Sequence, residues 1–427
     1  PVCGCPPSDF EETVQETAPT VSESPTGKAP LRIIIAGGGI AGVSAAESVR
    51  QYAPEAEITL ISREAAWPYY RINLTRFLAG ELDGENLSIH PESWYAEQRI
   101  TVRRTTSLTA IHPKERTVTL ENGEELPYDK LILACGAEPF IPPIPGHTLA
   151  GVTALRTIDD AQRLLAALPA GSSCVCIGGG ILGLEIAGGL ARRNIRVTVL
   201  ESAPWLLSRQ LDERAAGLLA RHVAAMGIAI RTGVQIAAIE GAASAEAVRL
   251  ADGEILPADV VMIAAGVRPT TALAQAAGLT VNRGVVVNDA LESSHPDIYA
   301  VGDLAEHRSV LYGLWEPARY QGSIAGMNAA GTPAAFGGMP PASTLKVLGL
   351  NLFSVGKVTR EGDGVTELVE MQDNQYFRFL FEEDRLVGAI LLGDTQAANT
   401  LAKAIKNQTI FPKEAQKSIA AFERYWV

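Results

Sequence analysis

Two short stretches carry the densest chemistry in this chain, Gly37-Gly38-Gly39-Ile40-Ala41-Gly42 and Gly178-Gly179-Gly180-Ile181-Leu182-Gly183. Both have the spacing G-x-G-x-x-G. In such a turn the first glycine permits a tight bend, the second lets backbone approach a pyrophosphate, and the third lets helix pack on strand. The phosphates then rest against the positive end of the helix dipole. Gly37, Gly39 and Gly42, and Gly178, Gly180 and Gly183, are therefore candidate dinucleotide-binding residues. An acid at the end of the next strand accepts hydrogen bonds from the adenosine ribose. In the second copy that acid is Glu201, 23 residues after Gly178. Its charge opposes a 2′-phosphate and favours NAD(H). The first copy ends on Ser62-Arg63-Glu64. All three are candidates there, and either Ser62 or Glu64 could take the ribose.

The five cysteines are Cys3, Cys5, Cys135, Cys174 and Cys176. Their number and spacing make no disulfide framework, which favours a reducing cytoplasm. Cys174 and Cys176 alternate within an apolar run and are expected to be buried core thiols. No metal site is expected. Net charge of −12, from 36 basic and 48 acidic residues, argues against a nucleic-acid footprint, which needs a basic face. No apolar run approaches the ~18 residues a membrane helix needs.

The elements that must hold these residues are written twice. Leu31-Arg32-Ile33-Ile34-Ile35 is a β-branched strand that runs into the first glycine turn, followed by a predicted helix over Val43–Tyr52 and a strand over Ile58–Ile61. Alternating strands between Thr101 and Leu126 turn at Asn122-Gly123, and a buried strand covers Leu131–Ala134. Pro139–Gly146, rich in proline, reads as a linker. Then the unit repeats: strand Ser173–Ile177, helix from about Leu184 to Arg193, strand Val197–Leu200. Beyond about Gly331, Tyr376–Phe381 and Leu386–Leu391 are strand-like and Ala397–Asn407 is helical. The fold class is α/β, with two Rossmann-like βαβ dinucleotide-binding domains and a small C-terminal α+β domain.

Five motifs in order identify the chain as similar to the two-dinucleotide flavoprotein reductases, the pyridine nucleotide-disulfide oxidoreductase class, over residues 31–427. They are the two glycine turns, Leu131–Ala137 (LILACGA), Ala264–Pro269 (AAGVRP) and Ile298–Asp303 (IYAVGD). The resemblance implies FAD on a discontinuous first domain (31–145 and 270–330), NADH on a second (146–269), and a C-terminal domain over 331–427. It also implies that Asp303 holds the FAD ribitol. Cys135, followed by Gly136, stands where the class usually has threonine. Members with a thiol relay carry cysteine shortly after the first ribose site or as a close pair. Trp67–Arg76 contains none, so electrons are expected to leave the flavin directly.

Pro68-Tyr69-Tyr70-Arg71 with Leu74 resembles the NADH:rubredoxin reductases and, more distantly, the flavin modules of assimilatory nitrite reductases. Trp94-Tyr95, Arg209–Asp212, Lys346–Gly349 and Leu386–Asp394 extend the likeness to the rubredoxin reductases. It implies that Arg71, Glu185, Trp315 and Lys346 line the FAD. Arg76 would be the cation beside the flavin, paired with Glu185 or Asp159. Arg71, Arg76 and Lys346 would then form the docking patch for an acidic carrier. No cysteine follows Cys176, so these residues build neither an iron–sulfur cluster nor a sirohaem site. Pro1–Phe10 resembles the second iron knuckle of rubredoxin, with Cys3 as its last ligand, so residues 1–30 are expected to be a disordered rubredoxin remnant and tether. The expected activity is NADH:rubredoxin oxidoreduction through FAD, with rubredoxin as partner. The alternatives are a reductase serving ferredoxin or a nitrite reductase, and a flavin-based redox-sensing interaction protein.

Overall fold

The computed structural model describes residues 29–339, 342–360, 364–372 and 375–425, with the side chains of 342–346 outside that description. The expected rubredoxin remnant lies outside the described residues. The first sheet has five parallel strands in the order Ile298–Ala300, Lys130–Leu133, Arg32–Ala36, Glu57–Ile61 and Ile100–Arg103. Its central strands are continuous apolar runs, as a sheet covered on both faces requires: Ile33, Ile34, Ile35, Leu131, Ile132 and Leu133 are all buried. Helices Ile40–Tyr52 and Trp315–Ala329 pack together over it.

The second sheet repeats the plan, in the order Ala229–Thr232, Arg196–Glu201, Ser173–Ile177, Val260–Ile263 and Val152–Thr153, again parallel. In both sheets the strand that feeds the glycine turn lies at the centre, which puts each turn at the carboxyl edge where α/β sheets bind ligands. The repeat runs deeper than the motifs. Each unit also carries a three-stranded antiparallel sheet, Leu108–His112 with Thr117–Leu120 and Glu125–Pro127 in the first, Ile236–Glu240 with Ala247–Leu250 and Ile255–Pro257 in the second. The chain leaves the first unit along Ala137–Pro139 and returns along Val267–Pro269, and these two segments pair antiparallel. The predicted linker thus begins inside a ribbon.

Both helices behind the glycine turns begin three residues earlier than expected, at Ile40 and Ile181 instead of Val43 and Leu184. The third glycine of each motif is helical, not part of the turn.

The C-terminal region is a five-stranded antiparallel sheet, Ala342–Val347, Leu350–Gly356, Arg385–Leu392, Gln375–Glu382 and Val365–Gln372 in spatial order. Only Gln375–Glu382, Arg385–Leu392 and the helix Ala398–Lys406 were legible in the sequence. One face packs on Leu401, Phe411 and Phe422. The other, through Leu348, Leu352, Tyr376 and Ile390, joins the core beneath the second glycine turn. Among the described residues no helix is long and apolar enough to cross a membrane.

Candidate functional site

The two turns are built by backbone that only glycine tolerates. Gly37 has φ of 128°, and a Cβ there would lie 2.1 Å from the Ala134 carbonyl oxygen. Gly178 repeats this at 120° and 2.4 Å from the Ala264 oxygen. A Cβ on Gly42 or Gly183 would come within 1.9 or 2.0 Å of the carbonyl oxygen of Gly37 or Gly178. The caps, Gly39 and Gly180, supply no side-chain hydrogen bond, so the first N–H groups of each helix stay available to an anion.

A cavity of about 620 Å³ opens over the first turn, within the ~300–1,000 Å³ usual for cofactor sites. Gly37, Gly39, Ser62, Arg63, Glu64, Arg71, Cys135, Gly136, Glu185, Asp303 and Trp315 all line it, so most of the predicted first-site residues converge there. Glu64 accepts hydrogen bonds from the Tyr69 hydroxyl at 2.6 Å and from Arg71, an internal ion pair at the strand end. Ser62 Oγ accepts the Glu64 N–H at 3.3 Å, and Arg63 is paired with Glu138. Burial raises the pKa of the Tyr69 hydroxyl, which also accepts the Ile158 N–H at 3.0 Å.

Asp303 is paired with Arg156 at 3.1 Å, and the Arg156 carbonyl accepts from Arg71 at 2.7 Å. Arg156 was missed in the sequence. The available signal was the capping box directly after it, Thr157 with Asp160, which marks a helix start that delivers residue 156 into the cavity. The Trp315 indole N–H is buried without a partner, and its ring stands 6.2 Å from that of Tyr70.

Two expectations are corrected. Arg76 pairs with neither Glu185 nor Asp159; it binds Glu81 at 3.1 Å and does not line the cavity. Its neighbour Thr75 does, and one residue along a helix turns the side chain by ~100°. The docking patch also fails as drawn, because Arg71 is tied to Glu64 and Arg76 to Glu81, which also binds Arg192. Lys346 lies in the strand Ala342–Val347 opposite Asn351, but its side chain lies outside the described residues.

Glu185, on the helix behind the second turn, accepts the Leu348 N–H at 2.7 Å, and burial raises its pKa. Glu201 accepts the N–H of Gly179 at 2.8 Å through one carboxylate oxygen and that of Ala203 at 2.7 Å through the other. The half-buried Cys135 donates to the Ala36 carbonyl at 3.4 Å, and burial pushes its thiol up to about 11. Cys174 is pushed up to about 12 by burial and Cys176 higher still.

Residues 31–322 match the family model described as pyridine nucleotide-disulphide oxidoreductase, and residues 341–409 match that of the rubredoxin NAD+ reductase C-terminal domain. The chain is 35% identical to a nitrite reductase NAD(P)H of Bacillus subtilis (strain 168) over 91% of its own length and 49% of that protein's. It therefore spans about half the length of this relative. A rubredoxin-NAD(+) reductase of Pseudomonas putida is 31% identical over 88% of this chain and 99% of its own length. The NADH:rubredoxin oxidoreductase structure from Clostridium acetobutylicum superposes with a TM-score of 0.79 at 28% identity, covering 93% of this chain and 100% of that one.

Proposed function

Because the chain belongs to the pyridine nucleotide-disulphide oxidoreductase family, whose cofactors are FAD and NAD(P)H, we propose that it carries electrons from NADH to rubredoxin without a redox-active disulfide. The observation that carries this reading is the state of the thiols. Cys135 is the one cysteine lining the cavity among the described residues, and with its pKa pushed up to about 11 it stays a thiol near neutral pH. Reactive cysteines are thiolates, and here burial outweighs the Arg63 charge and the backbone hydrogen bond that would favour one.

The residues fit the cofactors. A helix N-terminus with free N–H groups, a glycine cradle with no room for a Cβ, and an unpartnered Trp315 N–H all meet at the first cavity. Bound FAD would supply the conversion of a hydride donor into a source of single electrons. The first turn would bind its pyrophosphate, and Asp303 the ribitol, with Arg156 balancing the carboxylate charge. The second turn and Glu201 would hold NADH. Ile72, Ile181 and Leu182 line the cavity with Glu185, and Ile72 and Leu182 are solvent-exposed, an open apolar rim that a bound nicotinamide would cover.

Rubredoxin is favoured by the Pseudomonas putida relative, matched almost end to end, and by the match of residues 341–409. A second reading rests on the Bacillus subtilis relative: the same flavin unit feeding a nitrite-reducing centre. Anaerobic reduction with NADH, followed by mixing with rubredoxin, ferredoxin, nitrite or a disulfide, separates them. Rubredoxin is expected to reoxidise the protein fastest. A faster disulfide would refute the thiol argument, and a faster ferredoxin would remove rubredoxin as the partner.

A further inference from the structure

Between strands Ala342–Val347 and Leu350–Gly356 the chain turns at Leu348-Gly349, with φ of 52° and 86°. The left-handed region is open to glycine but disfavoured for leucine, and such strain persists only where surrounding contacts hold it. The two-residue hairpin, closed by Val347 opposite Leu350, itself requires positive φ at both positions, and three contacts, all from the second dinucleotide unit, fasten it in place. The Leu348 N–H donates to Glu185 Oε1 at 2.7 Å. The Leu348 carbonyl lies 3.0 Å from His222 Nε2; a carbonyl only accepts, so the imidazole carries its proton on that nitrogen. The side chain, 5% exposed, fills the space over Gly188, where a Cβ would sit 2.1 Å from Leu348 Cδ2.

Glu185 and Gly188 belong to the helix Ile181–Ala191 behind the second glycine turn, and His222 to the helix Glu213–Ala225. The C-terminal sheet grips that second helix at its other end too, where the Tyr376 hydroxyl donates to the N-cap Asp212 at 2.5 Å. Glu185 also lines the cavity. A free glutamate samples several rotamers, and one bond to fixed backbone selects among them.

We propose that Leu348 and His222 are positioning residues: His222 fixes the Leu348 turn, and the Leu348 N–H fixes the Glu185 carboxylate, so the C-terminal sheet sets the geometry at which NADH meets the flavin. This rests on the NADH–flavin reading of the cavity. Neither residue touches a cofactor in this scheme; each acts through Glu185.

The test is a double-mutant cycle on flavin reduction by NADH in a single turnover without acceptor. His222→Leu is expected to lower the limiting rate about tenfold, the scale of a small misplacement. His222→Gln, whose amide can donate to the same carbonyl, should recover it to within about twofold. In a Glu185→Ala background His222→Leu should add nothing. Independent effects of the two substitutions, or an unchanged rate in His222→Leu, would overturn the proposal. Gly188→Ala displaces the same turn from the other side and must show the same dependence on Glu185, which covers a His222→Leu protein that loses flavin. A second readout needs no turnover: amide exchange at Leu348 should quicken in both Glu185→Ala and His222→Leu, and unchanged protection would refute the clamp. If NADH fails to reduce the wild-type flavin, the proposed function falls, while the exchange measurement still decides the clamp.

Discussion

Replacing Glu201 by Gln separates two jobs that one carboxylate performs. One oxygen accepts the Gly179 N–H at 2.8 Å and the other accepts the Ala203 N–H at 2.7 Å. An amide has a single acceptor oxygen, so one of these N–H groups must lose its partner. Hydrogen bonds to charged groups are worth ~1.5–3 kcal/mol, and Glu201 is only half-buried, so the lower end applies. That loosening of the turn weakens NADH and NADPH alike. The second effect divides them. Loss of the charge weakens the ribose hydroxyl bonds of NADH but relieves repulsion of a 2′-phosphate, together ~1–3 kcal/mol of discrimination. For NADH both terms have the same sign, and its Kd should rise ~10–100-fold at 1.4 kcal/mol per decade. For NADPH they oppose each other, and its Kd should stay within a few-fold. The assay is the concentration dependence of flavin bleaching by each nucleotide in a stopped-flow instrument. Equal weakening of both would show that Glu201 only braces the turn, and a wild-type preference for NADPH would refute the assignment outright.

Asp303→Ala should weaken FAD retention some tens-fold, since it removes a charge-assisted bond of ~1.5–3 kcal/mol and leaves Arg156 without its counter-ion; flavin release on dialysis measures it, and undiminished retention would exclude Asp303 from the site. Substituting Cys135, Cys174 and Cys176 together by Ala or Ser should leave NADH-driven rubredoxin reduction within a few-fold. Loss of turnover in a folded, flavin-loaded triple variant would mean that a thiol takes part after all.

What could be read from the sequence follows from what a residue type can encode alone. Gly37 and Gly178 were legible because their backbone excludes every other residue, a demand that survives without tertiary information. Glu201 was legible because it closes a strand at a fixed distance from its turn. Arg76 was misplaced because the phase of the short helix Leu74–Leu78 is set by its neighbours, and one residue decides whether a side chain faces the cavity or Glu81. Arg156 was overlooked because the capping box after it announces only a helix start, while its partners Asp303 and Arg71 are remote in the chain and meet it only once both units are folded. Ser62 and Glu64 stood as equal ribose candidates in the sequence, since no local pattern announces that Arg71 and Tyr69 converge on the Glu64 carboxylate.

The antiparallel ribbon of Ala137–Pro139 and Val267–Pro269 bears on the order of assembly. Every strand of the second parallel sheet lies between these two segments, so that sheet can close from a contiguous stretch of chain. The first cannot: its edge strand Ile298–Ala300 pairs with Lys130–Leu133 and must wait for the whole insertion to emerge. Closing so distant a contact is entropically cheaper once the intervening chain is compact. During synthesis the inserted unit can therefore mature first, and its folding draws the two halves of its host together.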